Sequence, residues 1–212
     1  MKIDIIKCKQ CSAPLSLLGN NYRNKNLICQ YCGTVMDTKN EFRALYTFRH
    51  IQAEDNKFKI GNQYDFDSRT FIVTGFIAYQ SHETQWLEYQ LYSYTHGYSK
   101  LVKLDNRYIF LKKTHHLPIP NIWMLKKGKS FMSQNKSFKI ESFYFSEIYY
   151  AAGNLTEKMI QGKRKKHCFA NNNSHWFYSI HRRNAIENYI GYEIQQHQFM
   201  ALNNYSVTNS SY

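Results

Sequence analysis

The chain reads as an all-β protein: a small N-terminal ribbon followed by an antiparallel β-sandwich or barrel-like domain. Three observations predict this. Four cysteines form two close pairs near the N-terminus. Tyr (18) and Phe (14) are abundant and fall in short alternating runs, which suits pleated, half-buried strands. Turn signals divide those runs at hairpin-like spacing and leave little room for helix.

The order of elements follows from the same signals. Residues 1–37 form the ribbon. Leu15, Leu17 and Leu18, the Asn20-Asn21 turn, then Leu27 and Ile28 predict one hairpin between the cysteine pairs. Residues 38–56 are a linker, where Phe42, Leu45 and Phe48 suit a short helix or an extended stretch. The β-rich domain spans 57–202. Lys57–Ile60 is a short strand ending at Gly61. Phe71–Tyr79 is a strand with Gly75 as a bulge. Trp86–Tyr94 follows, with Leu87, Tyr89 and Leu91 on one face and Trp86, Glu88, Gln90 and Tyr92 on the other. Tyr98–Leu104 and Arg107–Lys112 flank an Asp105-Asn106 turn. Leu117–Pro120 is irregular. Phe138–Ala152 is a long strand, bulged near Ser142, that ends at Gly153. Gly162–His167 is a basic loop or hairpin end. His167–Ala170, Trp176–His181 and Ala185–Ile194 complete about nine strands. Residues 203–212 are polar and read as a flexible tail.

Cys8-Lys9-Gln10-Cys11 and Cys29-Gln30-Tyr31-Cys32 have the spacing of a zinc ribbon, with seventeen residues between Cys11 and Cys29. Two turns then present four thiolates to one tetrahedral ion. All four ligands come from protein, so the site is structural and leaves no position for a reactant. Zinc is preferred to iron, although four thiolates suit both. Gly33 supplies positive φ after Cys32, whereas Ser12 holds the matching place after Cys11. Met1–Lys7 is too short and charged for a secretion signal, and metal thiolates suit a reducing compartment, so a cytoplasmic location is expected.

The formal net charge is +13, which admits nucleic acid, anionic lipid or an acidic partner. No apolar run approaches the ~20 residues of a membrane-spanning helix, so at most peripheral membrane association is expected. Lys163, Arg164, Lys165 and Lys166 are the densest basic run and a candidate anion-binding site. Lys112-Lys113 and Lys126-Lys127-Gly128-Lys129 would extend it if they shared its face. Trp86 and Glu88 on one strand face, with Tyr89 beside them, form a candidate ligand or partner surface: a ring wall and a carboxylate for a cationic group. Adjacent His115 and His116 point to opposite faces if they lie on a strand and do not chelate one ion. Cys168 reads as a small buried hydrophobe. No Ser/His/Asp arrangement, acid pair or phosphate-cradling glycine loop is visible, so no catalytic residue is assigned.

Several motifs resemble bacterial proteins that carry the domain of unknown function numbered 4178 behind a zinc ribbon. The resemblance runs through Cys8, Cys11, Ala13-Pro14, Cys29, Cys32 and Gly33, then Ile60-Gly61, Val73-Thr74-Gly75-Phe76-Ile77 and Trp86-Leu87-Glu88-Tyr89-Gln90-Leu91-Tyr92. It continues at Ala151–Leu155, Glu187 and Gly191. Lys100, Asn154 and Thr156 depart from its pattern, where Trp, Glu and Pro are usual. The resemblance implies a mostly β body and an accessory role in gene groups that also encode membrane-stress proteins and polyamine-synthase-like enzymes. Together these features lead us to expect a non-enzymatic adaptor that binds a protein partner in a membrane-associated or stress-response complex. The alternatives are a nucleic-acid-binding protein with a basic surface, and a small-ligand-binding or enzymatic β-domain.

Overall fold

The computed structural model describes residues 4–49, 57–160, 162–182 and 185–195. The ribbon consists of β1 (Ile5–Lys7) paired with β2 (Pro14–Ser16), and β3 (Asn26–Ile28) paired with β4 (Thr34–Asp37). Each cysteine pair therefore sits in its own short hairpin. The single hairpin expected between the pairs does not form, because residues 18–25 leave the ribbon to contact the larger domain. Part of the expected linker is also strand: β5 (Arg43–Thr47) pairs with β4. The rest of that linker from 50 to 56, and the expected tail at 203–212, lie outside the described residues.

Ten further strands follow: β6 (Gln63–Phe66), β7 (Arg69–Gln80), β8 (Gln85–Ser93), β9 (Gly97–Leu104), β10 (Arg107–Thr114), β11 (Ser130–Ser133), β12 (Lys136–Leu155), β13 (Arg164–Asn171), β14 (Trp176–Arg182) and β15 (Ala185–Ile194). Eight of them close an antiparallel barrel in the order β7-β8-β9-β10-β15-β14-β13-β12 and back to β7. Closure pairs every strand on both sides and removes the exposed edges that an open sheet would leave.

Alternation along the strands builds two apolar layers. Ile77, Trp86, Val102, Leu111, Phe169 and Ile180 fill the interior. Leu87, Tyr89 and Leu91 point outward from β8, under Phe58, Tyr64 and Phe66. On the other side, Ile122 and Phe131 cover Phe138, Cys168 and Phe177. Each fully buried ring contributes roughly 2–3 kcal/mol of transfer free energy. Phe58 does this from an irregular segment, so the strand expected at Lys57–Ile60 is absent although its apolar side chain is buried.

The expected bulges are present: the β7–β8 register shifts between Val73 and Gly75, and the β12–β13 register between Ile140 and Ser142. Strand β12 does not end at Gly153. That residue pairs with Gly75 on β7 and with Ile28 on β3, so the strand continues to Leu155 and joins ribbon to barrel. A Cβ on Gly153 would lie 2.4 Å from the Thr74 carbonyl oxygen, and its φ of 82° favours glycine. The basic segment expected as a loop at Gly162–His167 is strand from Arg164 onward.

A candidate metal centre and a charged cleft at the barrel mouth

The two cysteine hairpins bring four sulfurs together. The Sγ atoms of Cys8, Cys11, Cys29 and Cys32 all lie within 4.8 Å of one another. Cys8 Sγ is 3.7 Å from Cys32 Sγ, and Cys11 Sγ is 3.6 Å from Cys29 Sγ. A tetrahedral ion with sulfurs at about 2.3 Å requires sulfur–sulfur edges of about 3.8 Å. The arrangement therefore fits a four-thiolate metal ion, and the separations are far too long for a disulfide.

The two hairpins repeat one local geometry. Cys8 N–H donates to Ala13 O (2.9 Å) and Ser12 N–H to Cys8 O (3.0 Å). Cys29 N–H donates to Thr34 O (3.0 Å) and Gly33 N–H to Cys29 O (2.8 Å). Ser12 (φ 60°) and Gly33 (φ 73°) occupy the same left-handed position, so the serine adopts it despite its Cβ. Burial pushes the Cys29 thiol up to about 12. Holding it as a thiolate thus requires the compensation that a bound cation gives.

The ribbon joins the barrel through the β3–β12 ladder, through Ile28 and Val35, which pack into the barrel's main apolar cluster, and through polar contacts. Asn20 N–H donates to the Tyr98 hydroxyl (2.8 Å), which donates to Asn24 Oδ1 (3.2 Å). Lys25 N–H donates to Leu155 O (2.8 Å), and Met159 N–H to Asn26 Oδ1 (2.7 Å). These contacts place Tyr22, Arg23, Lys25 and Lys39 of the ribbon over one mouth of the barrel. Together with Glu88, Lys100, Lys113, Glu157, Arg182 and Glu187 they enclose a cleft of about 370 Å³, with Tyr98 and Tyr189 also in its walls.

The floor of the cleft is an ionic network. Lys100 pairs with Glu88, and its Nζ lies 5.0 Å from the Tyr189 ring centroid. Lys165 pairs with Glu157, whose other oxygen accepts from Arg182 Nη2 at 2.8 Å. Arg182 Nη2 also donates to Glu187 (2.9 Å), which accepts from Lys113 as well (2.9 Å). Burial opposes ionisation of Glu187, but Arg182, Lys100 and Lys113 outweigh it and hold the carboxyl at about 2. Burial likewise opposes ionisation of Glu157, and Lys165 and Arg182 hold that carboxyl below its ordinary value. All three acids are thus occupied by bases. Arg23 and Lys25 engage no carboxylate among the described residues, and the buried Arg182 Nε has no hydrogen-bond partner. Six basic side chains face three acidic ones, which leaves an excess of positive charge.

Below this floor runs a buried hydrogen-bond chain. The Tyr178 hydroxyl donates to Glu88 (3.0 Å) and lies 2.8 Å from His167 Nδ1; His167 Nε2 lies 2.8 Å from Ser146 Oγ. With Nδ1–H donating to Tyr178, Nε2 accepts from the serine. Burial, then Lys165, Lys100 and Arg182, drives His167 well below its ordinary pKa and keeps the ring neutral. Ser146 is buried and does not line the cleft, so this Ser–His contact does not face a substrate.

The residues singled out from the sequence separate. Trp86 and Glu88 do share an inner face, but Trp86 is packed in the core and Glu88 is already held by Lys100 and Tyr178. Tyr89 faces outward and belongs to no common surface with them. The run Lys163–Lys166 is split by strand alternation. Lys165 enters the barrel, whereas Lys163, Arg164 and Lys166 stay outside, with Arg164 on Glu147. Lys112 pairs outside with Asp67, while Lys113 turns into the cleft. His115 and His116 are exposed, and Cys168 is buried with its thiol pushed up to about 12 by burial. Sequence reasoning missed Arg23, Lys25, Glu157 and Arg182, and named Lys113 only as an extension of the Lys163–Lys166 run. Their only common signal is position on strands or turns that meet at one barrel mouth. Comparison of the chain with protein-family models, with curated proteins and with solved structures finds no match.

Proposed function

We propose that this chain is a non-enzymatic binding protein that captures a small organic anion in the cleft between ribbon and barrel. The carrying observation is the surplus of cations there: every acid of the cleft is paired, whereas Arg23 and Lys25 face it without a carboxylate. A volume of about 370 Å³ suits a metabolite-sized ligand. Its phosphate or carboxylate groups would meet Arg23, Lys25 and Lys100, and its body would lie against the Tyr98 and Tyr189 rings. The ion is zinc and acts as a rivet. It fixes the ribbon so that Arg23 and Lys25 hang over the barrel mouth, and it meets no ligand itself. In this reading the protein serves an accessory role, as the resemblance of its motifs to the domain numbered 4178 implies.

Calorimetric titration of the zinc-loaded chain with inorganic phosphate, citrate and adenosine monophosphate tests the proposal. At least one should bind, and Arg23→Ala with Lys25→Ala should weaken it by tenfold or more, as expected for two lost charge-assisted contacts. No binding by any of the three, or undiminished binding in the double variant, would contradict it. Metal analysis should give one zinc per chain, and a visible absorbance from iron thiolate would overturn the choice of metal.

A further inference from the structure

The segment from His115 to Ile140 holds five lysines, two histidines and no acidic residue. It crosses the outside of β12–β14 as a cap. Ile122 and Phe131 point inward and anchor it on Phe138, Cys168 and Phe177. Its outer side follows from the register. Ile119 bridges Met132, Met132 lies opposite Ser137, and Ser130 lies opposite Lys139. Antiparallel partners share a face, so Ile119, Met132 and Ser137 form one outward row and Ser130 with Lys139 the next. Ile119 is 72% and Met132 47% exposed; Leu117 and Met124 on the same segment are 74% and 84% exposed. Lys126, Lys127 and Lys129, in the turn before β11, are exposed as well. The nearest acid along the chain, Glu141, is engaged by Arg107 and Asn171.

Four exposed aliphatic or thioether side chains in a purely basic segment are not needed by the core beneath, which Ile122 and Phe131 already cover. We infer that this cap docks on an anionic lipid surface, with Leu117, Ile119, Met124 and Met132 entering the headgroup–acyl boundary and Lys126, Lys127, Lys129 and Lys139 meeting lipid phosphates. Charge complementarity selects this occupant. A cluster of cations whose neighbouring acid, Glu141, is already engaged by Arg107 gains from a negative leaflet potential, and apolar side chains gain from the boundary beneath it. The exposed apolar side chains, Leu117, Ile119, Met124 and Met132, are aliphatic or thioether and offer no ring on which nucleic-acid bases stack. An acidic protein surface would use the same lysines but would not need apolar groups to be miscible with hydrocarbon. The cleft plays no part in this inference.

Vesicle flotation with the full zinc-loaded chain tests it. Phosphatidylcholine vesicles containing about 30% phosphatidylserine should carry the protein at low salt, and pure phosphatidylcholine should not. Replacing Lys126, Lys127 and Lys129 together by Ala should weaken binding by on the order of 100-fold, at several-fold per lysine. Ile119→Ser with Met132→Ser should also weaken it, by roughly tenfold or more, while leaving the salt dependence unchanged. Unchanged thermal melts of both variants would show that the fold is intact. Failure to float with the anionic vesicles, or equal flotation with neutral ones, would overturn the inference. So would indifference of the wild-type binding to the Ile119/Met132 pair, which would leave a purely electrostatic surface of the kind an acidic protein contacts.

Discussion

The ribbon and the barrel are both β-structure, but different physics holds them. The barrel closes on itself and buries large rings on two layers. The ribbon has strands of three to five residues and a core of Leu15, Leu27, Met36 and the cysteines themselves. A core that small does little to offset the entropy of ordering the cysteine hairpins, and an ion held by the four sulfurs would supply the difference. The contrast also explains how the two parts meet. The barrel contributes an ionic floor, and the ribbon contributes a rim joined to the barrel by the β3–β12 ladder, by the packing of Ile28 and Val35, and by hydrogen bonds such as that from Asn20 to Tyr98.

The largest effect should come from breaking the metal centre. Chelation, or Cys29→Ser, removes binding free energy on the order of 10 kcal/mol from the ribbon alone. Hydrogen exchange should then show β1 and β2, which form their own two-stranded sheet, unprotected and β7–β10 protected. Loss of protection in both regions would mean that the two are one cooperative unit.

Next come the places where barrel and ribbon depend on one residue. Gly153→Ala puts a Cβ against the Thr74 carbonyl and should cost roughly 3 kcal/mol in denaturant unfolding. Glu157→Gln leaves Lys165 buried without a counter-charge and should cost a similar roughly 3 kcal/mol, felt in the barrel and not in the ribbon.

The pH dependence separates the regions further. Neutral buried His167 takes up no proton where the unfolded chain does, so stability should fall as pH drops below 6.5, by about 1.4 kcal/mol per pH unit until the folded ring titrates. Glu187, held at about 2 against an ordinary 4.5, adds stability that is present above 4.5 and lost as pH falls from 4.5 towards 2, on the order of 2 kcal/mol. A melting temperature flat from pH 7 to 5 would contradict the buried histidine. The smallest effect belongs to the ribbon: Ser12→Gly relieves the left-handed serine and should stabilise the metal-bound form by roughly 1 kcal/mol.

Much of this fold was legible in the chain because its signals are local. Cys-x-x-Cys spacing, the alternation in β8, the Asp105-Asn106 turn and the bulges at Gly75 and Ser142 each depend on a few neighbours. Errors arose where a distant partner decided the outcome. Gly153 looks like a terminator until β3 and β7 are seen to pair with it from both sides. Lys57–Ile60 alternates like a strand, but Phe58 is a plug in the apolar layer outside β8. The cleft was illegible for the same reason. Its cations come from residues 23, 25, 39, 100, 113 and 182, which only barrel closure and ribbon docking bring together. Lys165 was misread with its neighbours because a run of like charges hides the alternation that sends one of them inside.

If an ion holds the ribbon and the cleft takes an anion as proposed, the ribbon is one wall of that site, so metal and anion are thermodynamically coupled. The most direct test is to titrate the best-binding anion into zinc-loaded protein and into protein stripped of metal under reducing conditions, with circular dichroism confirming an intact barrel in both. Affinity should fall by at least tenfold on stripping and return when zinc is restored. Equal affinity in the two forms, with the barrel folded throughout, would contradict the central claim.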